Sequence, residues 1–317
     1  MKFIQQAYKG NNEGWSYFGT LFIFFFGWQF FGVIPLVVTA YIHANNFEEF
    51  INSAENTFTT VGINANLYLF MVILSFAIGL IFLILGILNF HKRKLISVIT
   101  SRANVDWNRI FYAFFFWALM GFVTLSFSYF YAPEDYVWNF KPIPFLILVI
   151  ISFLFLPIQT SMEEILFRGY LMQGIGVWFK NAWVPLVLTS LIFGLLHGLN
   201  PEVAKLGKII LIFYIGTGLL LGIITLMDEG TELALGFHAA NNIVAAVLVT
   251  SNWMVFQTDA LFVDISEPSV NFEMFLPVFF MYPLVIWIFA KKYKWTNWKE
   301  KLIGKVENPL DNVNLLS

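Results

Sequence analysis

The chain has 317 residues, 59% apolar and 12% charged, with a mean hydropathy of +0.73 and a net charge of −2. That composition excludes an ordinary soluble domain. The absence of cysteine excludes disulfides and thiolate metal sites, and it says nothing of redox compartment.

Apolar runs long enough, or nearly so, to cross about 30 Å of hydrocarbon occur in chain order at about 17–41, 67–90, 110–131, 143–168, 182–199, 208–227, 233–252 and 274–290. They predict an all-α polytopic membrane protein with about eight transmembrane helices. The first run is about 25 residues long, whereas a cleaved signal peptide has an apolar core of about 7–15 residues, so a retained helix is expected. Pro133, Pro142 and Pro144 mark a loop before the fourth span. Gly216, Gly218 and Gly222 in the sixth predict a tight helix contact. With no repeat, low-complexity tract or long linker, residues 1–317 form a single integral-membrane domain, closed by a basic and aromatic tail at 291–317.

Charge sets the expected orientation. Lys2 and Lys9, then Lys92, Arg93, Lys94, Arg102 and Arg109, then Lys291, Lys292, Lys294, Lys299, Lys301 and Lys305 all fall on one side if the spans alternate. The opposite loops carry Glu48, Glu49 and Glu55, and Asp259, Asp264, Glu267 and Glu273, without Lys or Arg. The positive-inside rule makes the basic side, and both termini, cytoplasmic. Interleaved Lys, Trp and Tyr at 291–299 read as an anchor on the lipid bilayer, with no nucleic acid as partner. His43 and His91 read as solvated or headgroup residues.

Three polar clusters interrupt the apolar runs: Glu163-Glu164-Ile165-Leu166-Phe167-Arg168, Phe193-Gly194-Leu195-Leu196-His197 and His238-Ala239-Ala240-Asn241-Asn242. Ionisable groups in spanning helices cost on the order of 2.5–3.5 kcal/mol each and are functional by default. Glu164 and Arg168 share a helix face and can pair; Glu163 lies about 100° round, on a stripe with Gln159 and Phe167, and is left unpaired. Phe193 with His197, and His238 with Asn242, are also four apart. If the three faces converge, Glu163, His197, His238 and Asn242 line one polar cavity able to activate water and stabilise an oxyanion. One Glu and two His, Glu163, His197 and His238, also match a ligand set for a divalent metal such as zinc, so the cofactor is either such a metal or none.

Glu-Glu-x-x-x-Arg, then Phe-x-x-x-His, then His-x-x-x-Asn on successive apolar segments resembles the CAAX protease and bacteriocin-processing (CPBP) family of intramembrane endopeptidases, also called the CAAX prenyl protease 2 or type II CAAX protease family. The resemblance covers about residues 143–250, the expected catalytic core. It implies that Glu163 and His197 activate water, that His238 and Asn242 stabilise the oxyanion, and that Glu164, Arg168 and Phe193 support them. It implies an endopeptidase acting on a membrane-embedded or membrane-anchored peptide or protein, as a multi-pass protein of the bacterial cell membrane. A non-catalytic immunity or scaffold protein of the same fold is the alternative, and a transporter a third reading. His-Glu-x-x-His, Ser-Gly and Gly-Asp are all missing, which leaves the glutamate type among intramembrane protease signatures.

Depth is the difficulty. Glu163 and His238 fall toward the cytoplasmic half, but His197 lies 15 residues, about 22 Å, beyond the cytoplasmic start of span five. The expected resolution is that residues 175–184 extend the helix outside the membrane and that 199–208 form a dipping turn shielded by protein.

Overall fold

Helix α1 (Gly14–His43) leads into α2 (Ala65–Asn89), α3 (Trp107–Tyr131), α4 (Pro142–Phe179), α5 (Trp183–Leu199), α6 (Lys208–Asp228), α7 (Glu232–Leu248) and α8 (Tyr282–Tyr293). The computed structural model describes residues 2–309, so residues 310–317 of the tail expected at 291–317 lie outside the described residues. Among those described, five helices (α1, α2, α3, α4 and α6) are long and apolar enough to cross a membrane.

The other three expected spans are helical but shorter. Helix α5 runs into a 3-10 turn at His197–Leu199, and α7 stops where the chain enters the strand Val249–Thr250. The run expected at 274–290 breaks into a π turn, Pro277–Met281, before the 12 residues of α8. Helix α4 is longer than expected: its 38 residues rise about 57 Å, and it ends at Lys180, whose φ of 53° closes the helix in the left-handed region. The 199–208 segment folds as a short helix, Pro201–Leu206, in which Asn200, Val203 and Gly207 N–H groups find carbonyls locally. Within it Leu199 is 96% exposed while Glu202 and Leu206 are buried, and the backbone is satisfied by its own helical bonds.

Two ends of the bundle are distinct. At one, β1 (Tyr136–Trp138), β2 (Val249–Thr250) and β3 (Phe262–Asp264) form a sheet in the order β1-β3-β2, with β1 antiparallel and β2 parallel to β3. At the other, Arg102 pairs with Asp228 (2.9 Å) and Glu232 (3.0 Å), Arg109 pairs with Asp228 (2.5 Å), and the Trp295 indole donates to Asp228 (3.1 Å). The Phe3 amide donates to Glu229 (2.6 Å), and Lys2 pairs with Glu300. The N-terminal segment, the α2–α3 loop, the α6–α7 turn and the C-terminal helix Trp298–Ile303 therefore meet at one end.

His91 corrects the sequence reading. It is fully buried rather than solvated: Nδ1–H donates to the Asn11 carbonyl (2.6 Å) and Nε2 accepts from the Tyr170 hydroxyl (2.8 Å). The residues after α2 fold back over the N-terminal segment, and burial pushes the His91 imidazole below its ordinary range.

Two apolar clusters flank the middle of the bundle. Tyr17, Phe24, Leu83, Leu166 and Phe193 belong to one, Trp117, Leu221, Phe237 and Phe289 to the other. Helices approach closely where glycine allows it: a Cβ on Gly218 of α6 would sit 2.9 Å from the Ser190 carbonyl of α5, and one on Gly236 of α7 would strike the Ile110 carbonyl of α3. These contacts pack α6 against α5 and α7 against α3. The phenylalanines left over, such as Phe18, Phe22, Phe115 and Phe127, point outward, as lipid-facing surface requires.

Candidate active site

The Glu-Glu-x-x-x-Arg cluster lies where α4 changes winding. Residues Ile165–Leu171 form a π turn, a feature that concentrates at functional sites. Glu164 and Arg168 are both fully buried and pair at 3.1 Å. Arg168 also donates to the Gly218 carbonyl (3.4 Å) and lies over the Phe193 ring. The expected neutralised pair is present, and it does more than neutralise.

Glu164 Oε1 accepts a second hydrogen bond, from Nδ1–H of His238 at 2.7 Å. A carboxylate only accepts, so Nδ1 carries the proton and Nε2 is directed away from Glu164. That Nε2 faces Oε2 of Glu163 at 3.6 Å, a separation too long for a direct hydrogen bond and suited to a bridging group. Glu163 Oε2 is buried and has no hydrogen-bond partner among the described residues. Its other oxygen, Oε1, accepts from the Gln159 side chain at 2.6 Å. Asn242 donates to Gln159 Oε1 at 3.0 Å, which brings the first and third clusters into one hydrogen-bonded group.

His197 joins through aromatic contact. Nδ1–H donates to the Phe193 carbonyl (2.7 Å), and the ring stacks on Tyr214 at 4.5 Å with 22° between planes. Its ring centre is 4.6 Å from that of Phe193, which in turn is 6.0 Å from that of His238. His197 and His238 are thus no further apart than these two steps together, and Glu163 adjoins His238. The three clusters converge around Phe193. Helix α4 continues to Phe179 and the chain turns at Lys180 before α5 begins at Trp183.

The zinc ligand set does not assemble. Among the described residues no three His, Cys, Asp or Glu side chains are placed to hold a metal ion. His238 commits Nδ1 to Glu164, and His197 commits Nδ1 to the Phe193 carbonyl. The described geometry therefore does not support Glu163, His197 and His238 as a metal set.

Two polar contributors escaped the sequence reading. Gln159 shares the Glu163 stripe, and a polar side chain four residues before an unpaired carboxylate is the sequence signal for the hydrogen bond it makes there. Tyr214 donates to Glu202 (2.6 Å) and accepts from Asn200 (3.3 Å) while stacking on His197. Nothing in local periodicity marks it.

Residues 142–244 match the family model described as "Type II CAAX prenyl endopeptidase Rce1-like". The chain is 30% identical over 256 residues to "Uncharacterized protein YyaK" of Bacillus subtilis (strain 168), covering 78% of this chain and 82% of that relative. No solved structure matches.

Proposed function

The chain belongs to the type II CAAX prenyl endopeptidase Rce1-like family, and from that premise we propose that it is a glutamate-type intramembrane endopeptidase of the cell membrane, its basic end and both termini cytoplasmic. Its substrate is a peptide segment of a membrane-associated protein.

The observation that carries the reading is Glu163 Oε2: buried, without a protein donor, and 3.6 Å from Nε2 of His238. A carboxylate in that position is available to take a proton from water as the oxygen attacks the scissile carbonyl carbon, and to return it to the leaving amine. His197 assists from the Phe193 side. As the water oxygen adds to the carbonyl carbon, the negative charge that develops on the carbonyl oxygen is met by Nε2–H of His238 in its imidazolium form and by an N–H of Asn242; that charge returns to the C=O bond as the C–N bond breaks and the amine leaves with the proton from Glu163. With His238 protonated, Glu163, Glu164, Arg168 and His238 sum to zero, which suits a site this buried. Glu164 holds the imidazole in place throughout.

The test uses purified protein in phosphatidylcholine and phosphatidylglycerol vesicles with two internally quenched probes, a farnesylated CAAX peptide and a peptide anchored by an acyl chain. The wild type is expected to cleave at least one, and Glu163→Ala and His197→Ala to cleave neither while unfolding at the wild-type temperature. Full cleavage by either variant overturns the residue assignment. A folded wild type that cleaves neither probe, with Glu163→Ala keeping its cellular effect, favours the non-catalytic reading.

A further inference from the structure

Four hydrogen bonds run in one direction through the centre of the bundle and end on Glu163. The Trp117 indole on α3 donates to Asn241 Oδ1 (3.1 Å), Asn241 Nδ2 donates to Asn242 Oδ1 (3.2 Å), Asn242 Nδ2 donates to Gln159 Oε1 (3.0 Å), and Gln159 Nε2 donates to Glu163 Oε1 (2.6 Å). We propose that this chain is a directional amide relay in which Gln159 is a positioning residue, holding Glu163 so that Oε2 alone is presented to the reaction.

The direction is decided by its two ends. An indole N–H only donates and a carboxylate only accepts. Between them, each of three amides could face either way, and one orientation satisfies every link. The first donor is anchored independently of the site: Trp117 is buried and stacks on Phe237 at 4.2 Å. Its ring therefore fixes Asn241, Asn241 fixes Asn242, and Asn242 fixes Gln159 with its NH2 toward Glu163. Aligned hydrogen bonds also polarise one another in a low-dielectric interior.

Two consequences follow for the reaction, and they rest on the endopeptidase reading. Glu163 cannot turn Oε1 toward substrate without breaking the shortest link, so its basic oxygen is defined. Asn242 has one N–H committed to Gln159, which leaves its second N–H for the oxyanion. Gln159 itself touches neither water nor substrate in this scheme.

The relay has a readout that needs no turnover. In 15N-tryptophan-labelled protein, the Trp117 indole resonance is identified by its loss in Trp117→Phe, which keeps a ring against Phe237. Gln159→Met, similar in length and without donors, is expected to shift that resonance from three hydrogen bonds away. The Trp295 indole, bonded to Asp228 outside the relay, is expected to stay in place. A Trp117 resonance unmoved in folded Gln159→Met overturns the relay.

Kinetics with the cleaved vesicle probe supply the functional half. Gln159→Met is expected to lower kcat about tenfold with KM within about twofold, and adding Trp117→Phe to it to cost little more, since members of one unit are non-additive. Additive losses, or a rise in KM alone, count against positioning. If the indole shifts while the wild type hydrolyses neither probe, the relay stands and the endopeptidase reading falls. If the wild type hydrolyses a probe and the indole stays fixed, the reverse holds.

Discussion

The guanidinium carbon of Arg168 lies 4.1 Å from the centre of the Phe193 ring. The same ring meets His197 at 4.6 Å and His238 at 6.0 Å. One apolar side chain therefore touches the cation of the first cluster and the histidines of the second and third. Phe193→Leu removes the π face and part of the volume, and is expected to destabilise by about 2–4 kcal/mol. Thermal unfolding in detergent measures this; an unchanged midpoint contradicts the hub role.

Arg168→Met leaves Glu164 buried without its cation, at a cost of about 3–5 kcal/mol. Arg168→Met with Glu164→Gln is expected to recover much of that, because no uncompensated charge remains. Denaturant midpoints of the two variants decide it. Equal midpoints place the cost elsewhere.

The adjacent carboxylates are expected to separate by phenotype. Glu163→Gln keeps an acceptor for Gln159 and breaks no ion pair with Arg168, so turnover falls by about 10²–10⁴ while stability stays within about 1 kcal/mol. Glu164→Gln loses both the Arg168 pair and the anionic partner of His238, and should lower stability and turnover together. Parallel unfolding and cleavage assays distinguish them.

Because the chain has no native cysteine, introduced ones report sidedness cleanly. In sealed vesicles a membrane-impermeant maleimide should reach Lys2→Cys and Lys299→Cys from one side and Val137→Cys and Ile265→Cys from the other. Labelling of all four from one side would contradict the two-ended bundle.

His91 adds a pH dependence outside the spans. Burial holds its pKa below that of an ordinary imidazole, so the unfolded chain binds the proton more readily than the folded one. Stability from this group is complete above about pH 6.5 and declines as pH falls below it, by at most about 1.4 kcal/mol per pH unit. Melting temperature at pH 7.5 and 5.5, in wild type and His91→Gln, measures the effect. The wild type should lose more on acidification than the variant.

Membrane residence, the positions of the helices and the pairing of Glu164 with Arg168 were legible in the order of residues. Each depends on local quantities: hydropathy summed over one segment, or a spacing of four on one helix. The candidate set Glu163, His197, His238 and Asn242 was legible too, as polar positions that an apolar segment has no other reason to hold.

The partners of those residues were not legible. That Glu164 holds His238, 74 positions away, and that Gln159 holds both Glu163 and Asn242, follow from how α4 packs against α7. The burial of His91 against Tyr170, and the lengths at which α5 and α7 stop, arise in the same way. Periodicity states which residues share a face of one helix. Which faces meet, and at what height, is set by glycines such as Gly218 and Gly236 that let backbones approach, and by the summed packing of the whole bundle. The geometry of the candidate site is therefore a property of helix packing, written on residues that the chain order had already singled out.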